Sequence, residues 1–429
     1  MITLATNTAW KRDLTRAGTP LQQWQNEQWN AFIAKGFPTR RDENWKYTDV
    51  SAIASQAFAI SNPAHETKIS EVRPSLDQAY TFIFVNGRFR SDLSRLSNLA
   101  NRIHWTTIAS AVEQDQSWLT HLSALPEYQT PFLLLNDALF SEGFILNIPD
   151  NVQLDAPIHF IYITEGANQP MMTHHRQWIR VGKNAQVTLF EEYRGESQSD
   201  YFSNIVTQVM VENNAQLTRY KWQHEGPRVS HIANTIIHQK RDSQVMHTHI
   251  TTGASFGRDD LNFSLDESGV STTLWGLTHL QNHQQMDCHS RVDHRVPYGT
   301  SQQYYNALVG DHSRFVFNGK VVVHPHAKKT KAAQSNKNLL LSAHAEVDTK
   351  PELEIYHDDV QCAHGATVGE LDKQLIAYLQ SRTLDKPMAQ QLLIQAFADE
   401  IMSALPASVV TDWIQKQVSA YLNKEEYHV

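Results

Sequence analysis

The segment Ala185-Gln186-Val187 decides the fold, because it returns as Ala215-Gln216-Leu217 and again as Ser243-Gln244-Val245. Each copy follows a polar turn and opens a β-rich run, and Gly269-Val270 continues the series at a similar interval. A coil with a small turn residue and then an aliphatic one cannot bury its apolar face alone and must lean on neighbouring coils. The spacing therefore predicts a β-solenoid.

Working outward, turns of the same kind recur at Ser313, Ala345 and Ala366. The alternative fold is a β-sandwich, whose strands follow one another at intervals of about 8–12 residues. The copies quoted above begin at positions 185, 215 and 243, so their interval is several times longer than one sandwich strand with its turn. This long interval favours the solenoid over the sandwich.

Helical patterns flank this core on both sides. Trp24 and Phe32 share one helix face near the N-terminus, and Gly36 ends that helix. Beyond Leu371 three amphipathic patterns follow, the second starting at Asp385. We therefore divide the chain into an N-terminal helical region (1–75), a β-rich core (76–368) and a C-terminal helical domain (369–429).

Composition excludes several classes of protein. The 429 residues are 41% hydrophobic, and 37 basic against 45 acidic residues give a net charge of −8, so no global attraction to nucleic acid or anionic lipid is expected. Two cysteines cannot build a disulfide framework. The first residues, Met1–Ala5, lack the charged start and apolar stretch of a signal peptide, so we expect none, and no run of 18 apolar residues occurs. We expect a soluble, cytoplasmic protein.

Two further motifs suggest enzyme chemistry. Gly253–Gly257 matches the serine-hydrolase pattern G-x-S-x-G, but the residues after it alternate like a strand, so we interpret the match as chance. The pairs His247/His249 and His324/His326 each place two imidazoles on one face of a strand. They leave open a second hypothesis, a stand-alone β-helical metal-dependent enzyme that uses clustered histidines.

The pair Cys362 and His364 is the strongest candidate site. Two residues apart on a strand, they point the same way with Cα atoms about 6.6 Å apart. A thiolate is a soft ligand and an imidazole suits iron or zinc. Gly365 and Gly369 allow a turn directly afterwards. The alternative is that Cys362, like Cys288, is a buried and inert core residue.

Three segments carry a family resemblance. Residues 358–369, DDVQCAHGATVG, resemble the C-terminal motif of the SufD family, scaffold subunits of the SUF iron–sulfur cluster assembly machinery. Residues 36–48, GFPTRRDENWKYT, resemble that family's N-terminal motif, and Tyr378–Arg382 with Ala396-Phe397 resembles its C-terminal helices. The family often has glycine where this chain has Thr383.

The resemblance implies a right-handed parallel β-helix between two helical domains. It implies a non-catalytic scaffold in a complex with SufB and two copies of the ATPase SufC. Cys362 and His364 would then lie near the SufB contact and help to form a transient iron–sulfur cluster shared with SufB, with His364 as iron ligand or proton acceptor. A reduced flavin is associated with the family complex, but the sequence holds no flavin motif.

The resemblance also implies how partners dock. SufB would pair through the core, and without SufB the chain would form a homodimer that imitates this contact. SufC would bind the C-terminal helices. The residues that we assign to this docking are Leu375, Tyr378, Leu379, Arg382 and Phe397.

Overall fold

Successive strands of the core alternate between two parallel sheets in the computed structural model, which describes residues 18–61, 72, 74–97, 99, 102–164, 169–195 and 200–423. The core strands are β5 (Glu142–Ile148), β6 (Ile158–Ile163), β7 (Met171–Val181), β8 (Gln186–Gly195), β9 (Tyr201–Val211), β10 (Gln216–Glu225), β11 (Val229–Gln239), β12 (Gln244–Thr251), β13 (Phe256–Leu265), β14 (Ser271–Leu280), β15 (Gln285–His294), β16 (Thr300–Val309), β17 (Arg314–Val323), β18 (Lys331–Leu340), β19 (Glu346–Ile355) and β20 (Gln361–Glu370).

The odd-numbered strands from β5 to β19 form sheet A, and the even-numbered strands from β6 to β20 form sheet B. Each strand pairs in parallel with the strand two places along the chain, so one coil supplies one strand to each sheet. The prediction of a parallel β-helix is confirmed. One coil contains two strands and two turns, which explains why the interval in the sequence is so long.

The repeat marks one edge of the solenoid. Ala185, Ala215 and Ser243 directly precede β8, β10 and β12 of sheet B. Ser313 and Ala345 instead precede β17 and β19 of sheet A, at the opposite edge. Turns of the two sets alternate along the chain. The series of turns predicted from the sequence therefore combined turns from both edges of the solenoid.

The turn predicted at Ala366 is wrong, because Ala366 lies inside β20. The last turn that leads into sheet B comes earlier, between β19 and β20, at residues 356–360.

Asparagines stabilise the sheet B turns. Asn184 and Asn214 have φ angles of 56° and 57°, a left-handed conformation that asparagine tolerates well. The Asn184 side chain donates to that of Asn151 over 2.9 Å, and the Asn214 side chain donates to that of Asn184 over the same distance. Each turn is thus tied to the turn of the next coil.

The remaining strands are short and lie before the regular coils. They are β1 (Ala59–Ile60), β2 (Tyr80–Val85), β3 (Arg88–Phe89) and β4 (His104–Thr107). Strands β2 and β3 form an antiparallel hairpin whose turn is Asn86-Gly87, both with positive φ. Strand β2 then pairs with β6 and extends sheet B.

The N-terminal helices cover the outer face of sheet A. They are α1 (Pro20–Lys35), α2 (Ser51–Ser55), α3 (Ile108–Gln114), α4 (Trp118–Leu122) and α5 (Pro131–Leu139). Phe32 and Phe132 pack in one buried cluster with Met172 and Phe202 of the sheet. The Asn136 side chain of α5 donates to two backbone carbonyls of sheet A.

The C-terminal helices cover the outer face of sheet B. They are α6 (Lys373–Ser381), α7 (Lys386–Met402) and α8 (Val409–Leu422). Ile394 and Ile414 pack against Trp222 and Leu308 of the sheet, and Asp385 caps α7 as predicted. The domain boundaries at residues 75 and 368 stay predictions. Within the described ranges, no helix combines the length and hydropathy that a bilayer crossing requires.

Candidate functional site

Cys362 and His364 lie together on β20, the last strand of sheet B. Their register partners on β18 are Ala332 and Gln334. The Cys362 side chain is half-buried and packs against the solenoid core, whereas His364 is exposed. The turn that Gly365 and Gly369 would allow after His364 does not form, because both glycines continue the strand.

Burial sets the protonation state of Cys362. Partial burial raises the pKa of its thiol, and a backbone hydrogen bond from Ala332 offsets only part of that rise. The resting side chain is therefore a neutral thiol at neutral pH. Because only the thiolate ligates a metal, binding must be accompanied by loss of this proton.

The strand that carries the pair is uncovered. In the part of the chain that the structure describes, β20 pairs with β18 on one side and with no strand on the other. Ile355, Tyr356 and Val368 stand about half exposed at this end. An edge strand with free backbone groups and apolar side chains is suited to pairing with another chain.

A row of polar residues runs through the solenoid interior towards the pair. Successive register positions on β10 to β20 hold Arg219, His247, Leu274, Gln303, Gln334 and His364. All of them except His364 are buried, and only Leu274 is apolar. His364 is therefore the exposed end of an internal polar row.

Charged groups are buried at the other end of this row. Arg219 donates to both carboxylate oxygens of Glu191 over 2.7 and 2.8 Å. The Asp259 carboxylate lies 3.2 Å from Lys221 Nζ and 3.0 Å from His249 Nδ1. Most of these residues are far apart in the sequence, and their residue types alone did not predict that they form a cluster. The signal that could have found it is the coil interval, because Glu191, Lys221 and His249 share one register position.

The metal interpretation of the histidine pairs is not supported. Burial lowers the pKa of His249 to about 3, and its ring bonds to Asp259 and Thr251. His324 and His326 lie in a turn rather than on a strand, because β17 ends at Val323. No group of three or more metal-ligating side chains with suitable geometry occurs among the described residues.

The serine-hydrolase match is chance, as predicted. Ser255 lies in a turn between β12 and β13, so a strand rather than a helix follows it. Its hydroxyl donates to the Val229 carbonyl. Cys288 is buried in the solenoid core, where burial raises the pKa of its thiol well above the usual range.

The docking residues assigned to the C-terminal helices fall into two sets. Leu375 and Tyr378 are about half exposed, and the Arg382 guanidinium lies 5.4 Å from the Tyr378 ring. Leu379 and Phe397 instead pack partly against the cluster beneath the helices. The exposed set is extended by Met388 and Leu392 of α7.

The N-terminal motif clasps the outer face of sheet A. The Arg258 guanidinium lies 3.8 Å from the Trp45 ring and donates to the Asn44 carbonyl. The Thr48 hydroxyl donates to Asp287 over 2.5 Å. The motif therefore anchors the N-terminal region to the strands of sheet A.

Matches to known protein families cover nearly the whole length of this chain. A model described as the SufBD core domain of SUF system FeS cluster assembly matches residues 162–397, and one for the SufBD N-terminal region matches residues 12–160. A SufBD family iron–sulfur cluster assembly protein of Synechocystis is 33% identical, covering 89% of this chain and 87% of the relative. The Escherichia coli iron–sulfur cluster assembly protein SufD is 28% identical over 92% of each chain.

Proposed function

The chain belongs to the SufBD family of iron–sulfur cluster assembly proteins, and on that premise we propose that it is the SufD-type scaffold of a SUF complex. In this proposal it works in the cytoplasm, where its two unpaired cysteines stay reduced. It performs no catalysis itself, and ATP hydrolysis belongs to a SufC partner. The nascent cluster is a cargo that it helps to form with SufB.

The observation that carries the proposal is the position of Cys362 and His364 on the uncovered terminal strand. An iron–sulfur cluster usually has about four protein ligands. One cysteine and one histidine supply two, so a second chain must complete the site. SufB pairing along β20 would bring its ligands to this strand.

The two side chains have different tasks in this scheme. Cys362 starts as a neutral thiol and supplies sulfur ligation once its proton is lost. His364 is exposed on the same strand, so its imidazole can accept that proton or bind iron directly. Pairing with SufB would then cover both residues and exclude water from the cluster.

The C-terminal helices would receive the motion of SufC. The exposed group Leu375, Tyr378, Met388 and Leu392 forms an apolar surface on α6 and α7, with Arg382 beside it. The opposite faces of these helices pack on sheet B. A displacement of α7 would therefore act on sheet B, whose last strand, β20, carries Cys362.

Without SufB we propose that the chain pairs with itself. The uncovered β20 and the exposed Tyr356 and Val368 would then meet their counterparts in a second copy. This homodimer would compete with the heterodimer.

Anaerobic co-expression tests the proposal. The chain should co-purify with the SufB and SufC homologues of its own organism, and the complex should contain iron and acid-labile sulfide. The chain expressed alone should sediment as a dimer with little of either. A chain that binds neither homologue would contradict the proposal.

A further inference from the structure

Three histidines stack on one another at the edge of the solenoid where the sheet B strands end. The ring centroids of His283 and His312 lie 5.2 Å apart at 17°, and those of His312 and His344 lie 4.6 Å apart at 9°. They occupy the turns that follow β14, β16 and β18, one in each of three consecutive coils. We call these residues the histidine ladder.

The backbone holds the ladder in place. Asn282 and Asp311, which precede the first two histidines, have φ angles of 54° and 49°. The backbone amide of His312 donates to the backbone carbonyl of Asn282. The backbone amide of Asn282 in turn donates to the Asp311 carboxylate over 2.7 Å. The Cβ positions of adjacent rungs are thereby fixed at about the strand spacing of 4.8 Å.

The ring nitrogens of the ladder make no hydrogen bond to the residues that the structure describes. All three side chains are exposed. The asparagine ladder at the opposite edge differs, because Asn151, Asn184 and Asn214 bond to one another. The histidine ladder therefore presents imidazole donors to solvent at regular spacing.

We propose that the histidine ladder binds a divalent first-row transition metal ion through two imidazoles of adjacent rungs, with water completing the coordination. Imidazole nitrogen suits zinc, nickel, copper and iron. Metal–nitrogen bonds of about 2.0–2.1 Å need the two nitrogens about 3.3 Å apart in tetrahedral geometry. The stacked rings have nearly parallel planes, so two adjacent rings must turn out of the stack about their side-chain bonds before both point a nitrogen lone pair at one ion.

The three rings are not arranged to hold one ion together, because no group of three or more metal-ligating side chains with suitable geometry occurs among the described residues. The ladder therefore contains two overlapping pairs, His283 with His312 and His312 with His344. His312 belongs to both pairs. With two protein ligands and solvent access, the ion exchanges readily. The ladder lies at the edge opposite the turn that leads to Cys362, so the two sites are separate.

Zinc titration of the full chain tests this inference, using Zn²⁺ alone with calorimetry and histidine-ring NMR. The central variant H312N should lower zinc affinity at least tenfold, because it breaks both pairs. H283N and H344N should each change affinity less than about threefold, because one pair remains. The double variant H283N/H344N should match H312N, and it serves if H312N does not fold. H104N, which removes a lone exposed histidine of β4, is the control.

The pattern among the variants decides the outcome. Wild-type affinity in both H312N and the double variant would overturn the inference. So would an end variant that loses as much affinity as H312N. Ring signals of the three ladder histidines that do not respond to zinc would also contradict it.

Discussion

His364 is the register partner of Gln334 in the last strand pair of the solenoid, and both polar atoms of the Gln334 carboxamide are buried with no hydrogen-bond partner among the residues described. Buried amides nearly always have a partner in folded proteins. The free carboxamide directly beneath the imidazole therefore points to a positioning role for Gln334.

Replacing Gln334 should impair cluster assembly without lowering the stability of the fold. We expect Q334L to leave the free energy of unfolding unchanged or to raise it, because leucine is similar in size to glutamine and has no buried amide that lacks a hydrogen-bond partner. Iron bound by the co-expressed complex should fall. Gln303, one coil earlier, accepts a hydrogen bond from Ser290 over 2.6 Å, so Q303L should lower stability by about 1–3 kcal/mol. Urea unfolding and iron analysis of both variants check this, and a destabilised Q334L would contradict it.

Thr383 lies in a strained conformation after α6. Its φ of 80° is in the left-handed region, which a β-branched residue rarely adopts. We expect T383G to raise the free energy of unfolding by about 1 kcal/mol. T383A keeps a Cβ atom and should gain less. Chemical denaturation measures both, and a T383G protein less stable than the wild type would refute the explanation.

Buried histidines should make the fold sensitive to acid. Burial lowers the pKa of His175 to about 3, whereas the ring titrates near 6.5 in the unfolded chain. Below pH 6.5 the unfolded state takes up a proton that the native state does not, so stability falls by about 1.4 kcal/mol per pH unit. His279 and His294, with pKa values of about 4, act in the same direction.

The variant H175Q isolates one of these contributions. Between pH 7 and pH 5 its free energy of unfolding should fall by about 2 kcal/mol less than that of the wild type. Urea unfolding at the two pH values gives the comparison. An equal loss in both proteins would show that His175 does not titrate as the structure implies.

The apolar surface of α6 and α7 should decide SufC binding. Leu375 and Tyr378 are 48% and 55% exposed, so L375E and Y378E should leave the fold intact while co-purification of SufC is lost. Val409 on α8 is 53% exposed outside this surface, and V409E is the control. Deleting the helices is a poorer test because it uncovers Trp222 and Leu308. Retention of SufC by the double variant L375E/Y378E would contradict the docking assignment.

The solenoid could be predicted from the sequence because each coil repeats the same pattern, a turn followed by inward-facing aliphatic residues. The aliphatic residues of this pattern share one register position in three consecutive coils, as Val187, Leu217 and Val245. The failures have a physical cause as well. Ala366 has the residue type of a turn, but the backbone partner that β18 offers decides its conformation.

The candidate site could be predicted only where neighbours along the chain form it. Cys362 and His364 are two residues apart, so the strand period alone places them together. Gln334 lies a full coil before His364 in the chain and comes beneath it only through the register of β18 and β20. The exposed positions of Met388 and Leu392 likewise depend on which side of α7 faces sheet B.

The most direct test of the proposed scaffold role is the iron and sulfide content of the anaerobically co-expressed complex when Cys362 or His364 is replaced. C362S and H364A should keep SufB and SufC bound but lower the iron and sulfide per complex well below the wild-type level. Ala363 lies between them with its side chain on the opposite face of β20, so A363S should load as the wild type does. Wild-type iron and sulfide in both C362S and H364A would contradict the account.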